Sequence, residues 1–184
     1  MYQAAAALKE QGVEPELLYL GNLRRPMDWT RAIRLVRNRA ADYDVIHSQF
    51  GSAAAAVTAF APGTRRVVSL RGSDWTPTAA GTLTRSAHAT AGSAMSRASL
   101  RRYDLAVCVS QRIARSVLDF RPSTQVTVLP DPIDTALFHP MDRALARRQA
   151  GVEDLGGPLV LFTALNSNIP NKRVGLALAG VNWA

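Results

Sequence analysis

Helically spaced segments alternate with short apolar runs along nearly the whole chain, and this alternation limits the fold more than any other feature. "YQAAAALKEQG" predicts a helix that stops at Gly12, and "PELLYL" (15–20) predicts a strand. In "DWTRAIRLVRNRAADY", Trp29, Ile33, Val36 and Ala40 recur at helical spacing, with Asp28 or Thr30 placed to cap. "DVIHSQF" (44–50), "RRVVSL" (65–70), "DLAVCVS" (104–110) and "QVTVL" (125–129) read as strands. Between them stand "SAAAAVTAFA" (52–61) and "QRIARSVLDF", in which Ile113, Val117 and Phe120 share a face. Strands apolar on both faces and separated by helices predict an α/β fold, a Rossmann-like parallel sheet covered by helices on both sides. In such folds ligands lie beyond the carboxyl ends of the strands, here the loops after Phe50, Leu70, Val109, Leu129 and Leu165.

Two regions break the rhythm. Thr76–Ser99 is Ala, Ser, Thr and Gly with little apolar periodicity, which predicts a loop leading into a helix that ends near Arg101–Arg102. "PDPIDTALFHP" (130–140) holds three prolines and reads as a connector. A basic helix, "MDRALARRQAG", follows it, then a strand, "LVLFTAL", and a helix, "VGLALAGVNW". The predicted organisation is a first unit over 1–129, a linker and basic helix over 130–157, and a second unit beginning at 158–184.

With 47% apolar residues the chain can bury a core. Lys and Arg number 22 against 14 acids, a net charge of +8, and all but Lys9 and Lys172 of those bases are arginine. Either an Ala- and Arg-rich coding bias or a surface that attracts phosphates, acidic lipid or nucleic acid accounts for this. Arg31, Arg34 and Arg37 can form a solvated face or meet anionic lipid. Aromatics are too few, and too far from the arginines, for an RNA-stacking platform. Cys108 is the single cysteine, so no intrachain disulfide forms, and its valine neighbours predict a buried thiol. The N-terminus lacks signal-peptide character and no run reaches the ~20 apolar residues of a membrane span, which predicts a cytoplasmic protein with at most a peripheral membrane contact.

The stretch "VVSLRGSDWTP" is the most informative for chemistry: a strand ends at Arg71, Gly72 permits a tight turn, and Ser73 and Asp74 follow beyond the sheet edge. Asp74 either accepts from a sugar hydroxyl or caps its own turn. His47, near a strand's carboxyl end, is either a hydrogen-bonded structural residue or a contact for a substrate hydroxyl or phosphate. His88 and His139 have no Cys, Asp or Glu at a ligand spacing, so no metal site is expected. No Gly-x-Ser-x-Gly elbow or Walker loop occurs. Lys172 and Arg173 precede the last helix, where side-chain charge and free N–H groups suit a diphosphate.

Taken in order, "YDVIHSQFG", "VVSLRGSDW", "YDLAVCVSQRIARSVL", "VTVLPDPIDTALFHP" and "LVLFTALNSNIPNKRVGLALAG" resemble five stretches of the family-4 group of retaining glycosyltransferases, which have two Rossmann-like domains in the B-type arrangement. The resemblance implies that 1–129 belongs to an acceptor-side domain and that 158–184 opens a donor-binding domain. It further implies a nucleotide-sugar donor, a glycan, lipid or small-molecule acceptor, and neutralisation of the leaving diphosphate by a basic pair without a metal or cofactor. Acceptor-side candidates are then His47, Arg71, Gly72, Ser73, Asp74 and Ser110; Lys172 matches the family lysine, with Arg173 beside it, at the diphosphate. Arg71 stands where the family commonly has histidine. In the family pattern a first strand and glycine turn precede this point of Met1, and an acidic donor-site pair follows Ala184, so no turnover is expected from these 184 residues alone. An alternative is a non-catalytic remnant whose basic surface holds an anion or membrane; a third is another nucleotide-using Rossmann enzyme.

Overall fold

The four middle strands form as the sequence predicts. In the computed structural model, which describes residues 2–23, 25–77, 83–153, 155, 159, 161–163 and 173–181, β1 (Val45–Ser48), β2 (Arg65–Leu70), β3 (Leu105–Cys108) and β4 (Val126–Val128) make one parallel sheet in the order β1-β2-β3-β4. Val45 pairs with Arg65, Val67 with Leu105 and Ala106 with Val126. Helices α1 (Tyr2–Glu10), α2 (Pro26–Arg39), α3 (Ser52–Thr58), α4 (Leu83–Leu100), α5 (Gln111–Phe120), α6 (Arg143–Gln149) and α7 (Val174–Val181), with a short 3-10 turn at Ala40–Asp42, complete the described elements.

Each crossover steps the same way along the sheet. Right-handed connections of that kind place their helices on one face. That face is the core: Val68, Leu70, Ala106 and Cys108 pack with Ala55 of α3 and Ala59 at its C-cap, Leu100 of α4, and Ile113, Ala114 and Val117 of α5. Ala32, Val36 and Ala40 pack with Val57, Ala61 and Ile46 in a second cluster at the β1 edge. The opposite face, with Val67, Leu105 and Val107, is only half-buried, and Val45 is exposed. Among the described residues both core clusters thus lie on one face, where the sequence predicts cover on two, as strands arranged in chain order dictate.

Local chemistry accounts for the helix ends. After α1, Gly12 (φ +76°) follows the helix while its N–H donates to the Lys9 carbonyl and the Val13 N–H to the Leu8 carbonyl, a paired C-terminal cap that needs the left-handed conformation. α2 starts earlier than expected, at Pro26, whose fixed φ suits the first helical position. No side chain caps it, and Thr30 Oγ1 donates instead to the Met27 carbonyl at 2.9 Å. Ser110 caps α5, accepting from the Ile113 N–H at 3.4 Å, and Asp142 caps α6, accepting from the Leu145 N–H at 2.9 Å.

Two segments depart from expectation. "PELLYL" joins no ladder. Leu20 packs against the α2 cluster, while the Glu16 carboxylate accepts a two-pronged hydrogen bond from Arg39 (2.7 and 2.9 Å) and one from the Tyr43 hydroxyl. Side-chain contacts with α2 therefore hold the segment where a strand would have used its backbone. The helix expected to end near Arg101–Arg102 is α4, which ends at Leu100 but runs for 18 residues, so it takes up most of Thr76–Ser99. Its periodicity is written in serine and glycine: Ser93, Ser96 and Ser99 are buried, and a Cβ on Gly92 would come within 2.8 Å of Ser52 Oγ. Small residues let α4 approach α3 closely. Of "LVLFTAL", Leu159 and residues 161–163 are described and make no ladder; the rest lies outside the described residues.

Candidate functional site

The carboxyl ends of β1 and β2 release two loops that meet at Asp74. This side chain is 1% exposed, and its carboxylate accepts from three backbone N–H groups: Gly51 at 2.8 Å, Arg71 at 2.9 Å and Gly72 at 2.8 Å. A buried carboxylate needs such donors, since its charge loses its water. Gly72 adopts φ +122°, which only glycine tolerates freely, and its carbonyl accepts from the Trp75 and Thr76 N–H groups at 3.0 and 2.7 Å. α4 closes the arrangement from behind. Ser96 Oγ donates to the Asp74 carbonyl at 2.6 Å and accepts from the Ser52 N–H at 2.6 Å; Ser93 Oγ donates to the Trp75 carbonyl at 2.5 Å. Asp74 therefore shapes the site from beneath instead of presenting its oxygens to a ligand.

Gly51 shares this cradle. A Cβ there would lie 2.4 Å from Ser96 Oγ and 3.0 Å from Asp74 Oδ2, so neighbours that are themselves hydrogen-bonded must move. We expect Gly51→Ala to cost about 1–3 kcal/mol, the usual range for overpacking. Denaturant unfolding monitored by circular dichroism checks it, and an unchanged midpoint would show the cradle to be slack.

Above the cradle runs a polar chain. His47 Nε2 lies 2.9 Å from Ser69 Oγ and its Nδ1 lies 3.1 Å from the Gln49 side-chain nitrogen. With the amide nitrogen assigned as donor, Nδ1 accepts and the ring proton sits on Nε2, donating to Ser69. Burial, then the nearby Arg71 charge, holds the imidazole below its ordinary pKa. A neutral ring with both nitrogens engaged is the result. Arg71 Nε donates to the Gln49 carbonyl at 3.2 Å, its Nη2 to Gln49 Oε1 at 3.4 Å, and its Nη1 to Asp131 in the segment after β4. Arg71 and Asp131 are 38% and 55% exposed at their side chains, so this is the wet end of the chain.

The structure thus brings together His47, Arg71, Gly72, Ser73 and Asp74, with Ser73 exposed and Ser110 serving as the α5 cap at the end of β3. Lys172 lies outside the described residues; Arg173, at φ +49°, immediately precedes α7. Gln49 and Asp131 are the residues that sequence reading misses. Gln49 carries a hint, two residues past His47 on a post-strand loop; Asp131 carries none, being 60 residues from Arg71. Cys108 is buried, and burial, then Asp74, pushes its thiol up to about 11, so it stays protonated and unreactive at neutral pH. Among the described residues, no three His, Cys, Asp or Glu side chains gather as a metal site.

The order of the loops and the one-step strand arrangement now have a counterpart among known families: the profile of Glycosyltransferase Family 4 matches residues 2–137. The chain belongs to glycosyltransferase family 4. The match covers all four strands, the Asp74 cradle and the Arg71–Asp131 pair of this family-4 chain. No curated protein matches it in a sequence search. No helix among the described residues of this glycosyltransferase-family protein is long and apolar enough to cross a membrane.

Proposed function

We propose that this chain is the acceptor-side part of a cytoplasmic, retaining, metal-independent glycosyltransferase that takes its sugar from a nucleotide-sugar donor. The observation that carries the reading is the chain Asp131–Arg71–Gln49–His47 standing at the carboxyl edge of a parallel sheet in a family-4 protein. That edge is where α/β folds bind ligands. Arg71 offers a planar cation with fixed donors to a hydroxyl, phosphate or carboxylate of the acceptor. Ser73 adds an exposed hydroxyl. The neutral His47 orients Gln49 and so fixes Arg71. On the donor side, Lys172 and Arg173, which precede α7 in the sequence, neutralise the departing diphosphate, whose negative charge grows in the transition state.

Transfer assays on an extended gene product that adds the donor-side domain to this chain, with a panel of nucleotide-sugar donors and acceptors, test the proposal. Sugar transfer or donor hydrolysis is expected. Absence of both across the panel overturns it. Within that assay, Arg71→Ala is expected to raise the acceptor KM roughly tenfold or more while leaving the donor KM near wild type. The fold survives the change, because exposed ion pairs contribute only about 0–1 kcal/mol. An Arg71→Ala enzyme with unaltered acceptor KM would move the acceptor elsewhere.

A further inference from the structure

We infer that the outer face of α2 docks on an anionic lipid surface. α2 turns one side inward, with Ala32 and Val36 buried against α3 and β1 and Trp29 and Ile33 packed beside them. At about 100° per residue, Met27, Arg31, Arg34 and Asn38 then share the opposite side, with Asp28 and Leu35 along one flank and Thr30 and Arg37 along the other. All three arginines are exposed, and none makes an ion pair or a side-chain hydrogen bond among the described residues. Met27 is 66% and Leu35 38% exposed, so apolar side chains stand among the charges. Asp28, the single acid of α2, lies on the Leu35 flank, so the charges at the centre of the outer side are all positive. Arg25 extends the positive charge past the helix start.

This pattern suits a lipid headgroup region better than a nucleic acid. Arginines meet the phosphates of the leaflet while the thioether and leucine reach the acyl boundary. Nucleic-acid grooves and strands are instead held with stacking aromatics or a continuous polar track. Trp29, the one aromatic of α2, is turned inward with its indole N–H donating to the Leu23 carbonyl at 2.8 Å.

Cosedimentation of the full chain with phosphatidylcholine vesicles, with and without phosphatidylglycerol, tests the inference. Binding is expected only with phosphatidylglycerol and is expected to weaken as salt rises. R31Q/R34Q/R37Q should lower the partition coefficient about 100-fold, near fivefold per arginine. R101Q/R115Q/R121Q, the same charge change at exposed arginines elsewhere, should lower it less than about threefold, since charges far from the surface are screened. M27Q/L35Q should also weaken binding with the charge intact. Circular dichroism melts verify that the variants fold; single R34Q, about fivefold down, replaces the triple if it does not. Equal loss in both triples, no binding to the anionic vesicles, or tighter binding to an RNA oligonucleotide that R31Q/R34Q/R37Q abolishes would overturn the inference.

Discussion

Asp74→Ala is expected to lower the unfolding free energy by about 3–5 kcal/mol, because it strands several backbone donors that the carboxylate now receives. Gly51, Arg71 and Gly72 all donate to it, and the site is 1% exposed, so water cannot take over without opening the loops. For a chain of this length such a loss lowers Tm by roughly 10 °C or more. Asp74→Asn should fall between, since its one carbonyl oxygen still accepts while its amide nitrogen faces the donors it cannot serve. Thermal and urea unfolding read both. A loss below about 1 kcal/mol for the alanine variant would mean that the two loops are held by something other than this carboxylate.

Trp75→Ala should cost about 3–5 kcal/mol, as large buried rings do. The indole is 0% exposed, packed in the same cluster as Val68, Leu70 and Val117. Its N–H donates to Ser116 Oγ at 3.0 Å, the Phe120 ring meets it edge-on with centroids 5.6 Å apart, and the Arg97 guanidinium lies 5.2 Å from its centre. The ring thus ties the turn after β2 to both α4 and α5. Trp75→Phe keeps much of the burial and loses the hydrogen bond, so it should retain most of the stability. Equal losses for the two variants would assign the effect to the indole N–H instead of to packing.

Much of this architecture is legible in the sequence because strands and most helices are specified by local pattern. β2 and α5 carry their own punctuation, Arg71–Gly72 after one and Ser110 before the other. The length of α4 escapes because its inward face is serine and glycine, whose value lies in close approach and hydrogen bonding, which an apolar count does not register. "PELLYL" misleads for the opposite reason: its apolar residues fit a strand, yet Glu16 finds Arg39 and Tyr43 far along the chain. The site divides in the same way. His47, Arg71 and Asp74 stand out locally, but whether Asp74 faces a ligand or its own turn depends on where Gly51 comes to rest. Asp131 enters only when β4 has been laid beside β3.

The strand order carries a consequence for how the protein forms. Every strand pairs with its immediate predecessor, so each newly made strand meets an edge already in place: Arg65 on Val45, Leu105 on Val67, Val126 on Ala106. Among the described residues, no strand must be inserted between two others. Growth from the amino end can proceed as the chain leaves the ribosome, one βα unit after another, each closing a crossover that carries one helix. The Arg71–Asp131 bond is then among the last contacts of this sheet to form, since Asp131 follows its final strand.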